Sequence, residues 1–232
     1  MRRPERHRGR VTLDVVYRRL SRALGPQHWW PARTPFEVMV GAILTQATSW
    51  HNVERAIGRL RRARALTPRG LLAQRRTTVE RCVRPSGYFR QKTQRLLRYT
   101  RWYLRRYRGE AARMFRTPLR ALRGELMRQR GIGPETADSI LLYAGAQPIF
   151  VVDAYTRRIF RRHRLLRGHP PYGEVQQFVM DRMARDARRY NEFHALLVEA
   201  GKRYCHRCDP DCAHCPLGDL PRTLERTTHG NR

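Results

Sequence analysis

Lysine is almost missing from this chain: of 49 basic residues only Lys92 and Lys202 carry an amine, and all the others are arginine. Acids are scarce as well, 19 against those 49, which leaves a net charge of +30 spread along 232 residues rather than gathered in one tail. Such an imbalance fits a polyanionic partner, nucleic acid above all. No apolar run reaches about 18 residues and no arginine-flanked hydrophobic leader is visible, which disfavours a basic membrane protein or a secreted one. A soluble, cytoplasmic protein associated with the bacterial nucleoid is expected. Strand signals are few. Ile149-Phe-Val-Val152 is a short apolar run with no second run to pair with, so an all-α fold is expected. A content of 41% hydrophobic residues excludes disorder throughout and suffices for one large domain or two small ones. The arginine excess itself fits a genome-wide codon bias. The two lysines are therefore worth marking, because a compact amine does chemistry that a guanidinium cannot.

Met1 to Arg10 is polar and arginine-rich and is expected to fray. Leu13, Val16, Tyr17 and Leu20 then fall at helical spacing until Gly25-Pro26 stops the pattern. After Gln27-His-Trp-Trp-Pro31, Thr34-Pro35 opens a second helix with Phe36, Met39, Val40, Ile43 and Leu44 on its apolar side, buried on most of its surface. Helical patterns follow around Val53 to Leu60 and from Leu96 to Tyr107, separated by a basic stretch, Arg61 to Arg76, and a turn at Pro85-Ser-Gly87. The stretch from Leu96 to Tyr107 mixes aromatics with arginines, so that it suits core and phosphate at once. Lys92, in Arg90-Gln-Lys-Thr-Gln-Arg95, is expected to meet phosphate or solvent.

Gly131-Ile-Gly133 reads as a tight hairpin between helices whose backbone N–H groups suit an anion, with Pro134 setting the first turn of the next helix. Two acids lie eighteen residues apart beyond it. Glu135 sits in that first turn, where a helix dipole favours a carboxylate by roughly 0.3 to 1 kcal/mol. Asp153 follows the apolar run and precedes Ala154-Tyr-Thr-Arg-Arg-Ile-Phe160, the position of a helix N-cap. A carboxylate there that faced an extruded nucleotide would stabilise a cationic sugar or orient water. Trp29, Trp30 and Trp50 serve either the core or the stacking of an electron-poor ring. Cys205, Cys208, Cys212 and Cys215 crowd within eleven residues, which in a cytosolic chain suggests metal or cluster rather than disulfide. Cys82 stands alone and suits a buried core thiol.

The segment from Leu126 to Ile140 reads as helix, hairpin, helix, and here the chain resembles the helix-hairpin-helix DNA glycosylase superfamily that includes endonuclease III. Phe36-Glu-Val-Met-Val-Gly-Ala-Ile-Leu-Thr-Gln46, Cys82 to Lys92, Gly131 to Asp153 and Trp29-Trp30-Pro31 look most like the 3-methyladenine DNA glycosylase III branch, and the likeness spans about residues 27 to 202. It implies a two-lobed fold, residues 27–147 in one lobe and 1–26 with 148–232 in the other, with double-stranded DNA across the cleft and a monomeric protein. It implies that Gly131, Ile132, Gly133 and Thr136 bind DNA, that Gln46 fills the gap left by a flipped base, and that Trp30 and Trp50 wall the base pocket beside Trp29 and Lys202. Asp153 becomes the catalytic carboxylate. Glu135 stands where endonuclease III carries its Schiff-base lysine, and since a carboxylate forms no imine, a monofunctional enzyme that hydrolyses the N-glycosidic bond of alkylated purines is expected. An endonuclease III-like glycosylase and lyase on oxidised pyrimidines is one rival; a non-catalytic DNA-binding protein is another.

Endonuclease III relatives carry an iron-sulfur loop of the form C-x6-C-x2-C-x5-C. Cys205, Cys212 and Cys215 fit its first three places and Pro221 occupies the fourth. Either Cys208 supplies the last thiolate to a 4Fe-4S cluster, or the loop holds zinc, or it holds nothing. The 3-methyladenine branch lacks this loop, so the chain mixes features of both relatives.

Overall fold

The computed structural model describes residues 11–223, so the expectation for Met1 to Arg10 lies outside the described residues. The chain divides into two compact units, one formed by Trp30–Ile149 and the other by Met1–Trp29 together with Phe150–Arg232. The resemblance places these boundaries at residues 27 and 147.

Helix α1 (Leu13–Leu24) starts where Thr12 accepts a hydrogen bond from the Val15 amide at 3.3 Å and stops at Gly25, whose φ of 67° only glycine adopts cheaply. Its Leu13, Val16 and Leu20 are buried. The Trp30–Ile149 unit follows, with α2 (Pro35–Leu44), α3 (Trp50–Arg62), α4 (Pro68–Ala73), α5 (Arg76–Val83), α6 (Phe89–Tyr107), α7 (Ala111–Phe115), α8 (Leu119–Met127) and α9 (Pro134–Ser139). The chain then returns to the first unit through α10 (Ala154–Arg162), α11 (Tyr172–Met180) and α12 (Ala187–Arg203), which packs on both α1 and α10. The fold is all-α, and no strand occurs among the described residues. No helix among them is long and apolar enough to cross a membrane.

The unit that holds the hairpin is built around α2. Thr34 caps it by accepting from the Glu37 amide at 3.2 Å, Pro35 opens it, and every residue from Phe36 to Leu44 is buried. A helix that is apolar on all sides has to lie in a core. Against it runs α6, whose Lys92, Leu96, Tyr99, Tyr103 and Tyr107 form one buried stripe. Tyr103 stacks on Phe36 at 6.0 Å and on Tyr99 at 6.1 Å.

Phe150, Val151 and Val152 are almost wholly buried yet lie outside any helix or strand. With no strand beside them, their polar groups are met by side chains: Gln176 Nε2 donates to the Phe150 carbonyl at 2.6 Å and the Val152 amide donates to Tyr172 Oη at 3.3 Å. Phe150 also anchors an aromatic core with Tyr190 and Phe193, at 5.9 and 5.8 Å.

Candidate nucleic-acid and base-recognition sites

In the Trp30–Ile149 unit the turn between α8 and α9 is clamped from below. Arg123 donates two hydrogen bonds to the fully buried Asp138, at 2.7 and 3.0 Å, tying the helix before the turn to the helix after it. A carboxylate survives such burial only with a partner of this bidentate kind. Ile132 is buried as the plug of the turn, and its amide donates to the Gln129 carbonyl at 3.0 Å. Gly131 has φ 88°, and a Cβ there would come within 2.5 Å of Arg95 Nε, so both conformation and space demand glycine. Gly133 is extended and has open space where a side chain would stand. Among the described residues the amides of Gly131 and Gly133 donate to no acceptor of the chain, and successive amides of such a turn can bind an anion.

Gln46 is bound into this turn. Its Nε2 donates to the Gly131 carbonyl and to Thr136 Oγ1, both at 2.9 Å, while Oε1 accepts from Arg95. The residue assigned to fill a gap in DNA thus braces the hairpin in this structure. Thr136, grouped with the DNA contacts by resemblance, has a buried side chain whose hydroxyl serves Gln46. Lys92 requires a correction: it is 1% exposed and reaches neither solvent nor an external phosphate. It falls on the apolar stripe of α6 and donates to the carbonyls of Leu44 at 2.8 Å and Ser86 at 2.5 Å, the former at the end of α2 just before Gln46. Burial, with Arg95 nearby, pushes its amine down from 10.5 to about 8. Cys82 is the buried thiol expected, and burial pushes its pKa up.

Above the turn the same unit gathers aromatics. Trp30 lies edge to face with Trp50, centroids 5.0 Å apart and planes at 90°, and 5.2 Å from Tyr143. A Cβ on Gly41 would meet the Trp30 ring at 2.8 Å, so the ring rests directly on the backbone of α2. Tyr143 is carried by a π-helical stretch, Ile140–Ala144, that continues α9. Insertions of this kind re-aim side chains and recur at functional positions. Glu135 is exposed in the first turn of α9.

In the other unit Asp153 is the N-cap of α10, its Oδ1 accepting from the Thr156 amide at 2.7 Å. Its Oδ2 lies 3.7 Å from Nε2 of His194 on α12, and both side chains are largely buried. Burial lowers the His194 pKa and Asp153 opposes this, which favours a neutral ring beside the carboxylate. Trp29 belongs to this unit, with Lys202 Nζ over its ring at 5.8 Å.

The sequence reading overlooked His194, which carries no local signal of its role. It also missed Tyr88, the most exposed large apolar side chain among the described residues at 68%, held with φ 43° at the start of α6. A tyrosine straight after a turn glycine was its only trace.

The cysteine loop is tight. Arg162 donates to Cys205 Sγ at 3.0 Å, burial pushes the Cys215 thiol up with Cys205 and Cys212 adding to the rise, and Cys208 is exposed. Four soft thiols suit iron-sulfur or zinc in kind, and Pro221 adds no donor. Among the described residues no three His, Cys, Asp or Glu groups converge enough to hold a metal ion.

Residues 40–185 match the family described as HhH-GPD superfamily base excision DNA repair protein. A putative DNA repair glycosylase of Methanocaldococcus jannaschii is 40% identical over 207 residues, 88% of this chain and 93% of the relative. Endonuclease III of Thermotoga maritima is 26% identical over 183 residues, 79% and 80% of the two chains. The solved H. pylori 3-methyladenine DNA glycosylase bound to 1,N6-ethenoadenine is similar with a TM-score of 0.72 and 26% identity, over 83% of this chain and 98% of that one. A non-covalent endonuclease III–DNA complex shares the fold at a TM-score of 0.77 and 23% identity, over 91% and 96%.

Proposed function

The chain belongs to the HhH-GPD superfamily of base-excision DNA repair proteins and is a glycosylase acting on damaged bases, and we propose that it works by hydrolysis alone, releasing alkylated purines of the 3-methyladenine type and leaving the strand intact. The observation that carries hydrolysis is Glu135, a carboxylate in the first turn of α9 where an imine-forming enzyme needs an amine. Asp153 has one oxygen fixed by the Thr156 amide, and its other oxygen lies beside a histidine kept neutral by burial. A carboxylate so held stays oriented and suits a sugar that turns cationic as the glycosidic bond breaks. Glu135 contacts the base or the attacking water. Trp30 and Trp50 receive the base; a cationic alkylated purine gains most from aromatic faces and needs little acid to leave. The free amides of Gly131 and Gly133 hold a phosphate, and Gln46 exchanges its hairpin partners for the gap in the duplex.

A second activity, an endonuclease III-like lyase on oxidised pyrimidines, is favoured by relatives that carry the name endonuclease III. With Lys92 buried, the side-chain amine available to it is Lys202. Chromatography of bases released from methylated and from oxidised DNA separates the two: methylpurines are expected, and oxidised pyrimidines together with a borohydride-trapped adduct lost in Lys202→Met would replace the proposal. Asp153→Asn keeps a competent cap and is expected to slow release by roughly 100- to 1000-fold; an unchanged rate removes Asp153 from the chemistry.

From the cysteine spacing alone we further propose that Cys205, Cys208, Cys212 and Cys215, which do not converge as they stand, close on a structural 4Fe-4S cluster, with zinc as the alternative. When bound it would tie the end of α12 to the loop around Leu217, and no catalytic step passes through it. Visible absorbance with iron and sulfide analysis tests it, and zinc at one equivalent or a metal-free protein would overturn it.

A further inference from the structure

One face of α6 carries Arg95, Arg98, Arg101 and Arg105, which fall within about 120° of the helix circumference at 100° per residue. Together with Trp102 and with Arg130 from the turn after α8, they line an open groove of about 370 Å³. Arg98, Arg101, Arg105 and Arg130 are exposed. Five of this unit's seven acids are spent elsewhere: Glu125 holds Arg106, Glu110 holds Arg113, Asp138 holds Arg123, Glu37 holds Arg61 and Glu80 holds Arg76. Among the described residues no carboxylate pairs with any of the five arginines of the groove. Like charges three and four residues apart repel along a free helix, so such a stripe makes sense with an anion against it. Trp102 at its centre is a fixed ring, packed on Tyr99 at 5.4 Å and edge-on to Tyr107 at 5.5 Å.

The groove is continuous with the phosphate grip, because Gln129, Arg130 and Ile132 of the turn form part of its wall. We infer that this face of α6 is a track for the backbone of duplex DNA flanking the damaged nucleotide, taking the strand onward from the phosphate held at Gly131 and Gly133; the inference rests on the proposed DNA-repair function. From Arg95 to Arg105 the helix rises about 15 Å, which matches roughly four phosphates of one strand at about 3.4 Å along the duplex axis. Arg95 is committed to Gln46, so it couples the near end of the track to the hairpin, and the three exposed arginines beyond it carry the contacts.

The test is the salt dependence of binding to an undamaged duplex of about 30 base pairs. With about 0.9 counterions released per phosphate, the combined Arg98→Gln, Arg101→Gln, Arg105→Gln variant is expected to lower the slope of log K against log salt by about two to three. A control that removes equal charge from exposed positions of the other unit, Arg182→Gln, Arg185→Gln, Arg188→Gln, is expected to change it by less than about one. Equal losses in both variants, an unchanged slope in the first, or a loss seen only with duplex RNA would overturn the track. Base release from methylated DNA is measured separately: its absence from the wild-type protein would sink the glycosylase mechanism and leave the binding result standing.

Discussion

Replacing Lys92 by methionine removes a charge from the core of the Trp30–Ile149 unit while keeping the side chain's length, and two large effects oppose each other. The carbonyls of Leu44 and Ser86 lose their donor, and each buried acceptor left unmet costs about 1 to 3 kcal/mol. Against this, burial holds the amine at about 8 rather than 10.5; at about 1.4 kcal/mol per pH unit, the folded state carries about 3 kcal/mol of charging cost at neutral pH. The two nearly cancel near pH 7, so the pH dependence is the sharper measurement. The unfolded chain keeps the Lys92 proton up to 10.5 and the folded chain releases it near 8. In that window the unfolded state binds more protons, and the wild type gains stability as pH rises. About 2 kcal/mol of the cost is gone by about pH 9.5. Methionine does not titrate. The stability difference between the two proteins is therefore expected to move by about 2 kcal/mol in favour of the wild type between about pH 7 and 9.5, as read by urea unfolding followed through tryptophan fluorescence. A difference that stays constant would mean that the amine meets water in solution and that the burial argument is wrong.

Gln46→Ala removes three contacts, to Gly131, Thr136 and Arg95, and a loss of about 1 to 3 kcal/mol is expected, together with faster amide exchange at Gln129 to Gly133; unchanged exchange would show that the turn holds without it. Asp138→Asn leaves Arg123 without its charge partner and is expected to cost about 3 kcal/mol in thermal or urea unfolding, part of which Arg123→Met in the same chain restores. For His194, burial sets the folded pKa below the unfolded value of 6.5, so the stability tied to its neutral form is present above that value and is lost as pH falls below it. His194→Gln is expected to make the acid limb of the stability curve shallower, with His163, also lowered by burial, accounting for part of what remains; an identical limb would exclude His194 as its source.

Much of the fold was open to reading because it depends on local chemistry. Thr34-Pro35 is a helix start whatever surrounds it, Gly25 is a stop, and the apolar spacing of α1 survives folding unchanged. Asp153 also met its cap position, since capping involves residues three apart. The burial of Lys92 was legible too: it stands four residues before Leu96 and seven before Tyr99, on the same stripe, although a charged side chain points to the surface. What stayed hidden depends on chain separation. Gln46 meets Gly131 and Thr136 across 85 and 90 residues, and Asp153 meets His194 across 41, distances over which no spacing rule operates. The cysteines give their spacing and withhold the identity of what they hold, because the same thiol set accepts more than one metal.

The perpendicular pair of Trp30 and Trp50 has a kinetic consequence. Rings in contact at 5.0 Å leave no slot, so a base held by both has to displace one from the other. In the proposed base pocket each ring would be an internal competitor, and a base entering between them would forfeit the roughly 0.5 to 1.5 kcal/mol that the pair gains from its own contact. An ordinary neutral base recovers little more than it displaces. On the proposed function a cationic ring would recover more, and the closed pair would act as a threshold that favours cationic lesions.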